Sequence, residues 1–212
     1  PEEFRAAIVD FKKAAELDPN YGRAYAALAA TYWESYTRYW GLAMGIGQHV
    51  HDAQYEAKQS LVKAMRNPTP LAHKVASAML VQAQQQQEAI VEAKLAIAAD
   101  PNDADGYIAL ARALSFAGRS GEALEAVDRA MRLNPHYPSE YEYQRGLAQF
   151  GLNRIQDATA SLERAVALNH EDYWSQRLLL STYGLLGRRD DATRLASALT
   201  TTLKDYRDPL SV

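Results

Sequence analysis

The stretch YIALARALSFAGRSGEALEAVDRAMRLNP, Tyr107 to Pro135, decides the fold. Tyr107, Leu110, Ala111 and Leu114 fall at i, i+3, i+4 and i+7, which is one face of a helix. Gly118 then stands where a helix ends in the left-handed conformation. Ala123, Val127 and Ala130 give a second helical face, and Pro135 stops it. The stretch therefore predicts two short helices joined by a tight turn. Such a pair cannot bury its apolar face alone, so it must stack on copies of itself.

Copies are present. Asp18-Pro19-Asn20, Asn67-Pro68, Asp100-Pro101-Asn102 and Asn134-Pro135 each mark the end of a second helix. Pro biases the residue before it out of the helical region, and Asp and Asn suit turns and caps. Pro101 to Pro135 is 34 residues, Pro68 to Pro101 is 33, and the next unit ends 35 residues on, at Asn169-His170, where His replaces Pro. Pro19 to Pro68 is 49, which implies an insertion of about 15 residues against the usual repeat length. Ala6, Ala7, Phe11, Ala14 and Leu17 form a helical stripe, as do Ala158, Leu162, Ala165 and Leu168. Small residues on the first helices (Ala29, Ala78, Ala111, Gly146) let the second helix approach closely. Gly187 and Asn153 take the place of Gly118 in later units, and the run Gln84–Gln87 takes it in the third.

The resulting division is a half repeat at 1–19, a repeat with an insert at 21–68, and repeats at 69–101, 102–135 and 136–170. A degenerate capping pair at 171–200 and a polar tail at 201–212 follow. A chain that opens at Pro1 in the middle of a repeat is expected to be a piece of a longer protein.

The aromatic-x₂-Leu-small-x₂-large, Ala-x₃-large, Pro pattern resembles the tetratricopeptide repeat. The resemblance implies an all-α fold: an α-solenoid, a right-handed superhelix of five to six helix-turn-helix repeats over 1–200. It also implies a concave face that binds a protein or peptide. Glu122 to Pro138 is further similar to bacterial tetratricopeptide regions linked to class III adenylate/guanylate cyclases and to winged-helix regulators. There a repeat often ends in Arg-Leu-Asn-Pro-His-Tyr-Pro, here residues 132–138, and a Leu-Gly-Arg turn recurs, here Leu186-Gly187-Arg188. This implies a regulatory module of a larger signalling protein, itself without the catalytic domain.

In such a solenoid the first helices line the concave wall. Projected on this chain, they place there Arg23, Ala26, Ala30 and Trp33; Ala72, Val75, Met79 and Gln82; Asp105, Ile108, Arg112, Ser115 and Phe116; Glu140, Tyr143, Leu147 and Phe150; and Trp174, Arg177 and Ser181. Aromatics and Arg are enriched at interface centres, which favours a binding groove. The competing reading is that the aromatics only fill gaps between repeats. The chaperone-binding subfamily clamps a terminal carboxylate with Lys and Asn on this wall. The matching places hold Ala26, Ala30, Val75, Met79, Ile108 and Arg112, so no such clamp is expected.

The most unusual segment is Tyr32 to Gly41, with Tyr32, Trp33, Tyr36, Tyr39 and Trp40 in nine residues. Tyr36, Tyr39 and Trp40 are a candidate interface for a partner or a second copy, with Gly41, Gly45 and Gly47 loosening the loop beyond. Tyr32 and Tyr36 could equally pack on the neighbouring unit. Two further functions stay open: self-association through this segment, and a small-molecule sensor near Trp33 and Trp40.

Other chemistry is sparse. His49-x-His51 lacks an acid or Cys partner in register, so no metal site is expected. No phosphate loop, nucleophile elbow or His-Glu-x-x-His is present, and neither catalysis nor a cofactor is expected. Asp190-Asp191 and Glu171-Asp172 lie near helix starts, where they complement the dipole. With 212 residues, 48% hydrophobic and 23% charged, the composition is ordinary for a folded chain. A net charge of −3 argues against a nucleic-acid surface, and no apolar run is long enough for membrane insertion. The absence of Cys fits a reducing compartment, so a cytoplasmic protein is expected, with a periplasmic one as the alternative.

Overall fold

The computed structural model describes residues 2–37 and 50–207. Among them are eleven helices and no strand. They are α1 (Glu2–Leu17), α2 (Gly22–Thr37), α3 (Val50–Ala64), α4 (Pro70–Gln82), α5 (Gln86–Ala99), α6 (Ala104–Phe116), α7 (Ser120–Leu133), α8 (Ser139–Gly151), α9 (Ile155–Leu168), α10 (Tyr173–Leu185) and α11 (Arg189–Arg207). The chain divides into two compact units, residues 1–113 and 114–212.

The turns inside the hairpins share one geometry. Gln84, Gly118, Asn153 and Gly187 all have positive φ, between 58° and 73°. In each case the next amide reaches back across the helix end: Gln85 to the Leu80 carbonyl, Arg119 to Leu114, Arg154 to Gln149 and Arg188 to Tyr183, at 2.8–3.0 Å. That bond satisfies a carbonyl the helix end would otherwise leave orphaned. Gln84 does this without being Gly or Asn.

The turns between hairpins also repeat. The side-chain oxygens of Asp18, Asp100, Asn134 and Asn169 accept from the amide two residues on, at 2.9–3.2 Å. His170 stands in the Pro place and the turn is kept, because the Asx side chain makes the turn. Ahead of α4 the device differs. Thr69 caps the helix by accepting from the Ala72 amide at 3.2 Å, with Pro70 as the first helical residue.

This short lead-in corrects the sequence register. The residue missing from the 33-residue spacing lies before α4, since α4 and α6 start 34 residues apart, at Pro70 and Ala104. Every place in α4 therefore moves by one. Ser77, buried, is the small residue of close approach, and Ala78 is half-exposed.

In the first unit α2 packs on α1, α3 and α4, and α4 on α5. Its core joins Ile8, Leu28, Tyr32 and Ala57, with Phe4, Phe11, Tyr25, Trp33 and Met79 against them. A second cluster gathers Ala26, Ala64 and Ala72. In the second unit α8 packs on α7 and α9, and α10 on α9 and α11. Leu162, Leu179 and Tyr183 form its centre, flanked by Tyr143, Val166, Leu178, Ala192 and Leu195.

Candidate partner-binding face

The face at issue is the side of each first helix turned away from its own hairpin. In the first unit it is only partly what the spacing suggests. Arg23 and Asp105 are exposed and Arg112 is half-buried. Trp33 is half-buried in the α1–α3 core and meets Tyr36 with the rings tilted at 40° and 5.5 Å apart, so much of its ring fills a gap between helices. Tyr32 is buried outright. Tyr36 accepts a hydrogen bond from Gln82 at 3.3 Å and lies 6.2 Å from the His51 ring. Tyr39, Trp40 and His49 lie outside the described residues.

Several projected wall residues are interior. Ala26, Ala72, Val75 and Ile108 are buried, and Met79 packs on the α1–α3 core. For α4 the cause is the one-residue shift, about 100° around a helix. The exposed side of α4 instead carries Leu71, Lys74 and Ala78 in part. Lys74 thus stands one repeat before Ile108, a place the sequence reading gave to Val75, so a Lys is present after all. Its ammonium is held by Asp103 at 2.6 Å and Asp105 at 3.9 Å.

The second unit keeps more of the expected surface. Phe116 is 53% exposed and Trp174 48%. Phe150 is half-buried. Tyr143 is also half-buried and packs on the Leu162–Leu179–Tyr183 cluster, so it supports the wall more than it presents one. Asp172 caps α10 and accepts from the Trp174 amide at 3.1 Å, which fixes the start of that helix. Trp174 meets Tyr173 edge-on at 5.6 Å, and the Arg177 guanidinium lies 5.4 Å and 5.6 Å from the two ring centroids. Sequence reasoning found Trp174 and Arg177 but missed Tyr173 and Leu185. Leu185, 63% exposed, occupies in α10 the place Phe116 occupies in α6. Extending the register to the last repeat would have found it.

Behind this face the α8–α9 hairpin is polar inside. Glu142 stands where the repeat pattern wants an aromatic. Its carboxylate, almost fully buried, accepts from Arg164 at 3.0 and 3.1 Å and from the Tyr137 hydroxyl at 2.9 Å. Ser161 donates to Gln149 at 2.8 Å and accepts from Arg164 at 3.0 Å. The bond to Glu142, reinforced by burial, raises the Tyr137 pKa above the ordinary tyrosine value. Tyr183 is pushed up to about 12, first by burial and then by donating to Glu163. Asp191 is lowered by Arg188 and then Arg194, which both bond to it at the head of α11. These shifts accompany structural pairs. Among the described residues no group of three His, Cys, Asp or Glu is placed to hold a metal, and no helix is long and apolar enough to cross a membrane.

Comparison with known proteins agrees with the helical pattern. A tetratricopeptide repeat family model matches residues 93–125. A search of curated protein sequences finds no match. Among solved structures the chain is similar to a thermophilic TPR protein of Thermus thermophilus, TTC0263. That match has 25% identity and a TM-score of 0.66, over 84% of this chain and 94% of that one. The first TPR domain of human RPAP3 matches at 21% identity and TM-score 0.52, over 58% and 97%. The first TPR of Spaghetti (RPAP3), solved bound to an HSP90 peptide, matches at 22% and 0.50, over 56% and 94%. The last two likenesses concern the fold alone. The fold class is all-α, that of tetratricopeptide solenoids.

Proposed function

We propose that the chain is a protein-interaction scaffold that takes an extended peptide or protein segment on the exposed faces of its first helices. One observation carries this reading. The hairpin interiors are closed, yet α6 and α10 leave Phe116, Trp174 and Leu185 about half exposed or more. Phe116 and Leu185 are large exposed apolar side chains at matching places two repeats apart, and Trp174 shares a helix with Leu185, which points to a ligand rather than to chance exposure. The Spaghetti (RPAP3) structure holds a peptide, which supports the same use of the fold here. The module is further read as the regulatory part of a larger bacterial signalling protein, supported by the Arg132–Pro138 and Leu186–Arg188 motifs.

Peptide display against the chain tests the reading. Selected peptides should lose most of their capture by Trp174→Ser and Phe116→Ser, with helicity unchanged because both rings are exposed. Capture that is indifferent to both substitutions would place binding elsewhere.

A further inference from the structure

From the geometry of α10 we infer that this helix reads an acidic side chain set between two apolar ones in its partner. The inference rests on the peptide-binding reading above and deepens it.

Ser181 and Leu185 lie within about 20° of Trp174 around α10, on opposite sides of it, and Arg177 about 60° from Trp174 on the Ser181 side. All four are exposed. From Trp174 to Leu185 the helix rises about 16 Å, the span of roughly five extended residues. The strip is therefore apolar, cationic, polar, apolar.

Arg177 is the informative member. Its guanidinium rests near two aromatic rings, so its position is restrained before any ligand arrives. No carboxylate of the described residues is within ion-pair distance of it. Three other Arg side chains of this unit, one on α9, one in the turn before α11 and one on α11, behave otherwise. Arg164 is held by Glu142, Arg188 by Glu163 and Asp191, and Arg194 by Asp191. A stacked Arg that keeps its donor fork free suits a carboxylate, which the fork can engage through two parallel bonds. The strip continues past Arg177 in both directions, toward Trp174 and toward Ser181 and Leu185. A chain can therefore cross it, and the matching carboxylate is that of an internal Asp or Glu. Trp174 and Leu185 then receive the flanking apolar side chains.

The probe is acetyl-Leu-Ala-Asp-Ala-Leu-amide, compared with the same peptide carrying Asn for Asp. Chemical-shift titration follows the three Trp indole N–H signals, with Trp174→Phe assigning one of them. The Asp peptide should move the Trp174 signal and bind roughly two- to fivefold more tightly than the Asn peptide, the upper part of the range for an exposed ion pair. Arg177→Gln should bring the two peptides level while leaving helicity unchanged. Equal binding of both peptides to the unaltered chain would overturn the inference and leave the scaffold reading standing. Binding of an Asn peptide with a free C-terminus, as tight as that of the capped Asp peptide, would show that the anion is a chain end and overturn the inference. No shift with any of the three peptides would overturn it too, and the display selection would show separately whether the scaffold reading falls with it.

Discussion

The hairpins α4–α5 and α8–α9 are built to the same plan, and they fill it with opposite residues. Where the first helix passes closest to the second, α4 carries Ser77 and α8 carries Gly146. On the second helix the facing places hold Ala93 and Leu162. All four are buried. A Cβ at Gly146 would lie 2.7 Å from Leu162 Cγ, so glycine and leucine are one choice. Polarity is exchanged as well. His73 of α4 meets Glu92 of α5 at 2.7 Å, and Glu142, at the place of His73 in α8, meets Arg164 of α9 at 3.0 Å, three residues beyond the place of Glu92. The repeat constrains a sum of volumes and a pairing of polar groups. It leaves open which helix supplies which partner.

The strongest way to break this comparison is through volume. Leu162→Ala should cost about 3 kcal/mol as a cavity, read by urea denaturation. Gly146→Ala alone should cost about 1–2 kcal/mol through overpacking. Combined with Leu162→Ala it should instead recover up to about 1 kcal/mol, because the clash is gone and helix propensity improves. In α4–α5 the mirror holds: Ala93→Leu should destabilise alone and be better tolerated with Ser77→Gly. Additive effects at either pair would mean that the two places do not share one volume.

Charge comes next. Arg164→Leu strands the buried Glu142 carboxylate and should cost about 2–3 kcal/mol, below the full cost for a buried pair because Arg164 is itself half-exposed. Glu142→Leu with Arg164→Leu should be less costly than Arg164→Leu alone, since no charge remains unpaired. His73→Leu should cost about 1 kcal/mol, less than Arg164→Leu, because Glu92 keeps 21% exposure. Chemical denaturation ranks all three.

The smallest expected effect is alkaline. The Tyr137 pKa is raised in the folded state, so its contribution to stability is complete below the ordinary tyrosine value of about 10. It is lost as pH rises through the raised value. Hydrogen exchange should show α8–α9 loosening there before α4–α5, and Tyr137→Phe should remove the difference. Ultraviolet titration checks the raised ionisation directly. Equal loosening of both hairpins would show that the bond to Glu142 is not what distinguishes them.

The candidate face was legible in proportion to how regular the spacing is. Trp174 and Arg177 were found because α10 starts 34 residues after α8. The α4 residues were misplaced because one residue is missing before Pro70, and a helix turns about 100° per residue. The error changed more than labels. It turned Val75, an interior residue, into a wall residue, and it hid Lys74 with its bond to Asp103.

Local chemistry was enough to determine the helical pairs, their period and their turns, since Gly118, Asn153, Gly187 and the Asp/Asn-Pro steps act on their own backbone. Tertiary structure alone decided that Trp33 belongs largely to a core while Trp174 stays open, and that Arg177 is stacked yet lacks an acid among the described residues. It also paired Glu142 with Arg164, 22 residues apart. A turn is settled by a few neighbouring dihedral angles. Burial and ion pairing depend on which side chains from other helices arrive at the same place, and a period in one sequence does not carry that information.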